Sequence, residues 1–200
     1  MVFQAAPLAR NSRLPAKVFF LMGWFLLPLV SWGQERTQVY LTVEEAPKVI
    51  FPEADRWERK EIKVTPALSQ RLKQLVGRAK PTIWEPFYIS FLASKGEKVI
   101  GYAVICEEIG KHRPITFIVG VTPEGKVKDV AILTYREPQG DEVQHRSFLA
   151  QFEGKNLQNP IMQYQDIHNI SGATLSVRAL ARGVRKALAV IEVAYRKPEG

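Results

Sequence analysis

The sequence predicts an α+β fold, an antiparallel sheet of meander type packed with helices and completed by a long C-terminal helix. Two periodicities and one kind of punctuation predict it. From residue 82 to 136 apolar positions recur with a period of two, as half-buried strands require. From Leu175 onward Leu175, Val177, Leu180, Val184, Leu188 and Ile191 recur at helical spacing, with Arg178, Arg182, Arg185 and Lys186 mostly between them. The strand-like runs are separated by short turn signals, such as Lys95-Gly96-Glu97 and Pro123-Glu124-Gly125-Lys126. Such turns join antiparallel neighbours and cannot serve as the long crossovers of a parallel sheet.

At the N-terminus, Arg10, Arg13 and Lys17 precede an apolar run over residues 18–30, followed by Ser31-Trp32-Gly33. The run is short for a bilayer span, and small residues stand where a signal peptidase reads. Residues 1–33 are therefore expected to be a signal peptide cleaved before Gln34. An uncleaved membrane anchor is the alternative, and either places the remainder outside the cytoplasm.

Residues 34–80 read as an N-terminal helical extension. Thr42-Val43-Glu44-Glu45 has the form of a capping box ahead of a short helix towards Phe51, although Pro47 interrupts it. The charged stretch 55–61 reads as a surface connection. A better helix begins at Thr65-Pro66, with threonine as N-cap and proline in the first turn. Leu68, Leu72, Leu75 and Val76 form its apolar face and Gly77 its C-cap.

Strand-like runs then cover 82–93, 99–107, 115–121 and 127–135, within a main domain spanning 81–200. Gly101 and Gly120 fall inside strands, where glycine marks a bulge or a close backbone approach. Tyr135-Arg136-Glu137-Pro138-Gln139-Gly140-Asp141 is too polar and turn-rich for strand. Residues 147–155 read as a helix end capped by Gly154. A long polar loop containing Pro160 leads from there to the last helix.

Composition narrows the chemistry. The net charge is +8, but Lys and Arg are scattered among Glu, which argues against a nucleic-acid partner. A single cysteine, Cys106, excludes intramolecular disulfides, C-x-x-C-H haem attachment, cysteine-ligated iron–sulfur clusters and multi-cysteine zinc sites. It stands in the apolar run Val104-Ile105-Cys106 and reads as core. His112, His145 and His168 show no metal-ligand spacing. Cofactor chemistry would come from an organic molecule.

The chemically suggestive stretch is Ile170-Ser171-Gly172-Ala173-Thr174-Leu175-Ser176, the entrance to the last helix. Hydroxyl side chains there can cap the helix, and the same orphan N–H groups suit a phosphate. The S-G-A-T sequence followed by Leu-Ser and an Arg-bearing amphipathic helix resembles the flavinylation motif of the FMN-binding domain family, found in Na+-pumping quinone reductase and Rnf complexes and in exported flavoproteins. The resemblance runs from about Pro81 to Val193. It includes the loop Tyr135 to Gly140, similar to the family's H/Y-x-E-x-x-G segment near the flavin, and residues 148–155, similar to F-x-x-Q-F-x-G-K. One departure stands out: His168 occupies the family's usual aspartate position, three residues before Ser171, and Asp166 lies two residues further back.

The resemblance implies that Thr174 carries FMN as a phosphoester, installed by an FAD- and Mg2+-dependent flavin transferase. Ser171 and Ser176 would position the hydroxyl or donate to the phosphate, while Gly172 and Ala173 keep the approach open. Glu137 and Gly140 would lie near the flavin. Asp166 or His168 would orient the hydroxyl or hold the transferase's Mg2+, and Arg178 could reach the phosphate. Tyr135, Phe152 and Tyr164 are candidates for ring contact. No nucleophile–base–orienter set is legible. The chain therefore reads as an electron carrier serving an unidentified redox partner, with membrane association open, and less as a stand-alone enzyme. The alternatives are a non-redox exported module that has lost the flavin, and a component held in a membrane complex by its N-terminus.

Overall fold

The structure, a computed structural model, describes residues 37–77 and 85–197. The expected signal or anchor segment and the start of the 82–93 run lie outside the described residues. In chain order the elements are β1 (Gln38–Val39), α1 (Ala46–Ile50), β2 (Arg56–Lys63), α2 (Pro66–Val76), β3 (Phe87–Lys95), β4 (Lys98–Ile109), β5 (Pro114–Val121), β6 (Val127–Tyr135), α3 (Arg146–Leu149) and α4 (Thr174–Ile191). A π-helical turn, Glu192–Arg196, ends α4. The strands form one antiparallel sheet in the order β1-β6-β5-β4-β3-β2. Strands β2 to β6 are a continuous meander, and β1 adds at the far edge beside β6. The α+β plan expected from the two periodicities is the plan observed.

Residues 34–80, expected as a helical extension, supply both edge strands as well as α1 and α2. The charged stretch 55–61 is mostly strand: Arg56–Lys63 pairs with Phe87–Ser94 along its whole length. Its apolar signal is weak because it lies at the sheet edge, with Trp57 and Ile62 half-buried and the charged side chains exposed. Local capping chemistry, by contrast, appears as read. Thr65 Oγ1 accepts from Leu68 N at 3.2 Å, and Gly77 closes α2 with φ 54°. Glu45 Oε2 accepts from Thr42 N at 3.0 Å while Thr42 Oγ1 accepts from Glu45 N at 3.2 Å, the reciprocal pair of a capping box.

Alternation sends strand side chains to two cores. On one face Val104, Cys106, Ile115, Phe117, Val119, Val130 and Ile132 pack under α4 and α2. On the other, Phe91, Ala93, Ala103, Ile118 and Leu133 pack against Ile50 and Phe51 at the end of α1. Gly101 and Gly120 make that second packing possible. A Cβ at Gly101 would lie 2.2 Å from the Phe51 ring, and one at Gly120 would lie 2.1 Å from Ile50 Cγ2. Register shifts occur in the strand pairings of both glycine-bearing strands, between Ala93 and Ser94 opposite β4 and between Gly120 and Val121 in β5.

Helix α4 lies against β4 and β5 and is more buried than its amphipathic pattern implies. Lys186, expected among the polar residues, is 1% exposed. Its Nζ meets Glu85 Oε1 and Glu108 Oε1, each at 2.5 Å, and Arg182 Nε meets Glu108 Oε2 at 2.6 Å. Burial works against the ammonium charge, but the facing carboxylates of Glu108 and Glu85 keep its pKa above the ordinary lysine value. Among the described residues no helix is long and apolar enough to cross a membrane.

Gly120→Ala tests the packing of α1. The new methyl must displace Ile50, so the variant should unfold with about 1–3 kcal/mol less stability, read from the denaturant midpoint. Equal midpoints would mean that Ile50 does not seat against the sheet.

Candidate functional site

The site lies where the strand system ends and α4 begins. Ala173 is the N-cap of α4, and no side chain caps the helix. The expected alternative of a hydroxyl cap is thus not used, and Thr174 stands at the first helical position. The first-turn N–H groups have no intrahelical acceptor by helix geometry, and they carry the positive end of the dipole. Gly172 precedes them with φ 85°, a left-handed conformation, and nothing lies within 4 Å of where its Cβ would be. The entrance to the helix is therefore open on that side. Ser171 and Gly172 are exposed, Thr174 is half-buried and Ala173 is buried.

The loop after β6 is fastened to this helix start. Tyr135, the last residue of β6, donates its hydroxyl to Gln139 O at 2.7 Å and lies 2.9 Å from Ser176 Oγ. The phenol has one proton, so the serine donates to the tyrosine. Burial pushes the phenol up to about 12, against the lowering effect of the Ser176 hydrogen bond. Gly140, at φ 85°, abuts the same helix: a Cβ there would lie 3.2 Å from Ala173 and 3.0 Å from the Tyr135 hydroxyl. Glu137 turns the other way and is buried. Its Oε1 accepts from His112 N at 2.6 Å and Arg113 N at 3.0 Å, tying the β4–β5 turn to this loop.

Between the two segments lies a cleft of about 410 Å³, within the usual range of small-molecule sites. Pro138, Ala173 and the exposed Leu175 give it apolar surface, and Lys111 and His112 bring cationic and polar groups to its wall. Thr174, Glu137, Gly172 and Ser176, all expected site residues, also line it, and Gly140 buttresses it from behind. Lys111 and His112 were not legible as site residues, since only the hairpin register of β4 and β5 brings them here.

Other expected participants are placed elsewhere. The Ser176 hydroxyl, expected to serve the phosphate, is committed to Tyr135. Phe152 is core, edge-on to Phe148. Tyr164 is 71% exposed and lines a separate cavity of about 350 Å³ together with Arg178. Arg178 donates from Nε to Gln163 Oε1 at 2.6 Å instead of facing the cleft. His168 is exposed, and its backbone N–H donates to Gln151 Oε1 at 2.7 Å.

Asp166 does not orient the Thr174 hydroxyl. Its carboxylate accepts from Met162 N at 2.8 Å, Ile161 N at 3.1 Å and Lys155 Nζ at 3.0 Å. This holds a turn in which Ile161 and Tyr164 adopt left-handed conformations, at φ 42° and 67°. Such conformations cost roughly 1–3 kcal/mol each in non-glycine residues, so the turn depends on its hydrogen bonds. The residue at the hydroxyl is Asn169, whose Nδ2 donates to Thr174 Oγ1 at 3.2 Å. A lone asparagine in a polar loop gives no signal in sequence that would single it out.

The geometry on its own is that of a helix N-terminus carrying an approachable hydroxyl beside a cleft. A model of the FMN-binding domain family matches residues 110–189, the stretch that holds this cleft. That match is to the same family that the S-G-A-T motif resembles. A curated relative from Clostridium ljungdahlii, the G component of its proton-translocating ferredoxin:NAD(+) oxidoreductase complex, is 32% identical over 105 residues. That alignment covers 49% of this chain and 57% of the relative, so the chain spans little more than half of that protein's length. The fold resembles that of NqrC from Shewanella oneidensis, with a TM-score of 0.50 at 17% identity, covering 72% of this chain and 84% of that one. It also resembles the C component of the Na(+)-translocating NADH-quinone reductase from Parabacteroides distasonis, with a TM-score of 0.51 at 15% identity and coverages of 81% and 87%. The chain thus shares the α+β architecture of these two proteins.

The role of Asp166 is testable through pH. Burial raises its pKa, but the N–H groups of Met162 and Ile161 and the Lys155 ammonium outweigh this, leaving it below the ordinary aspartate value. A depressed folded pKa contributes stability above the unfolded value of about 3.9, lost as pH falls through the lower folded value. Asp166→Asn should therefore be less stable than wild type at neutral pH, by about 1–3 kcal/mol. The gap should narrow below about pH 4. A gap independent of pH would place the carboxylate outside the turn.

Proposed function

We propose that Thr174 bears FMN through a phosphoester to its hydroxyl and that the protein is an exported electron carrier. The observation that carries this reading is the placement of Thr174: an accessible hydroxyl at an uncapped helix N-terminus, beside a cleft walled by the Tyr135–Gly140 loop. The residues present fit the group. Orphan first-turn N–H groups suit a phosphate. Gly172 removes any Cβ from the approach. The apolar surface of Pro138, Ala173 and Leu175 suits a planar ring, and Lys111 on the cleft wall brings a positive charge suited to a phosphate.

When bound, the flavin supplies one- and two-electron transfer. The chain holds and orients it. The dipole of α4 would favour the phosphate charge, and the Tyr135–Ser176 bond fixes the loop that walls the cleft. Glu137 sets the position of that loop against the β4–β5 turn. Covalent attachment would keep the cofactor in place where free flavin is scarce. Maturation would require an FAD- and Mg2+-dependent flavin transferase. The Clostridium relative belongs to an oxidoreductase complex, which supports a membrane redox assembly as the partner.

Co-expression of the mature domain with a flavin transferase should give yellow protein whose colour survives denaturation and whose mass increases by one FMN unit. Thr174→Ala should fold, since loss of one hydroxyl at a helix start costs about 1 kcal/mol, and should be colourless. Thr174→Ser should retain part of the label. An unmodified Thr174 peptide in yellow, folded protein would refute the covalent linkage. Colourless folded protein from the native host would favour a non-redox module.

Export rests on Arg10, Arg13 and Lys17 ahead of the apolar run and on Ser31-Trp32-Gly33. N-terminal sequencing of protein from the native host should begin at or near Gln34. Full-length chain retained in carbonate-washed membranes would instead establish the anchor.

A further inference from the structure

Three polar side chains lead in sequence to the Thr174 hydroxyl. Arg178 Nε donates to Gln163 Oε1 at 2.6 Å. Gln163 Nε2 donates to Asn169 Oδ1 and lies 3.4 Å from Thr174 O. Asn169 Nδ2 then donates to Thr174 Oγ1 at 3.2 Å. Gln163 is 7% exposed, so its amide depends on these partners and not on water.

The direction of the chain is fixed by its first member. A guanidinium can only donate, so Gln163 must present its oxygen to Arg178 and its NH2 to Asn169. Asn169 must then accept on Oδ1 and present its own NH2 to Thr174. Every donor points towards the threonine, whose oxygen receives a hydrogen bond and does not have to give one to Asn169. We propose that Arg178, Gln163 and Asn169 are positioning residues for the modification of Thr174, with Asn169 supporting the oxygen as its proton leaves.

This proposal rests on the phosphoester reading above and adds how the acceptor is prepared. In the transfer, Thr174 Oγ1 attacks the flavin-side phosphorus of FAD. The Oγ1–P bond forms as the bond from that phosphorus to the bridging oxygen breaks. AMP departs, and the hydroxyl proton passes to a base of the transferase or to solvent. Nothing is oxidised or reduced. As the Oγ1–P bond forms, electron density leaves Oγ1 and negative charge gathers on the phosphoryl oxygens and the departing AMP oxygen, so the Asn169 N–H acts by fixing the orientation of the hydroxyl. Holding Oγ1 in one orientation keeps it in near-attack geometry, where a misplacement of about 1 Å can cost ~100-fold in rate. Because Gln163 holds the Asn169 amide, its effect is transmitted without contact to the reacting oxygen.

The test compares wild type, Asn169→Ala and Gln163→Glu as substrates of a purified flavin transferase with FAD and Mg2+. FMN incorporation is followed by intact mass, and each fold is checked by circular dichroism and thermal melting. Gln163→Glu keeps the shape and strengthens the pair with Arg178, yet offers Asn169 no donor. A merely structural role predicts wild-type loading for it. The relay predicts that both variants lose at least about tenfold in maximal rate. The half-saturating concentration of the protein substrate should stay unchanged, since docking to the transferase is not altered. If wild type loads and folded Gln163→Glu loads at the same rate, the relay is overturned. Should Gln163→Glu fail to fold, Asn169→Ala decides alone. If wild type itself acquires no mass at Thr174 in any of these reactions, the phosphoester reading falls, and the relay with it.

Discussion

The hydrogen bond between Tyr135 and Ser176 joins the last residue of the sheet to the first turn of the long helix, 41 positions apart. Without it, the cleft would be bounded by a loop and a helix end free to separate. The bond is protected by burial and made directional by the neighbouring Gln139 carbonyl, which takes the only phenolic proton. Gly140 then allows the loop to lie directly on Ala173, where a side chain would hold it off. The S-G-A-T segment is therefore presented from a rigid seat. A site built this way gains its accuracy from the scaffold and not from its own loop.

The register of that helix has a second anchor further along its length. Lys186 and Arg182 meet Glu108 and Glu85 beneath α4, in a region otherwise filled by Val104, Cys106 and Phe117. Buried ion pairs seldom add net stability, because desolvation offsets the attraction, but a slipped helix would leave charges unpaired at a cost of about 3–5 kcal/mol. Gly183 lies between them and lets Phe117 approach the helix, since a Cβ there would be 2.3 Å from the ring. Charge and shape thus specify one docking of α4, which in turn places Thr174 at the cleft.

Much of this was legible where the governing chemistry is local. Thr65, Pro66 and Gly77 bounded α2 because caps act over a few residues, and the run 127–135 coincides with β6 because a two-faced strand alternates. The glycines at 101 and 120 announced a close approach, but not that Phe51 and Ile50 would make it. Strand β2 leaves little apolar signal because its partner supplies its order and its own side chains remain largely in water. At the site, Thr174, Gly172 and the Tyr135–Gly140 loop were readable from motif, whereas Asn169 and Gln163 were not. Their placement depends on which amide faces which, and that is decided by a fold of the loop held by Asp166. The same carboxylate, two residues upstream of the position where the family resemblance expects one, proved to serve the loop and not the hydroxyl.

The two borders of the sheet differ in a way that bears on how the molecule meets others. One border is β1, only two residues long. The other is β2, eight residues long and bearing Arg56, Glu58, Arg59, Lys60, Glu61 and Lys63 along its exposed rim. A heavily charged border makes an incoming strand bury ions in order to pair. The charged rim of β2 thus disfavours a neighbouring chain that would extend the sheet on that side.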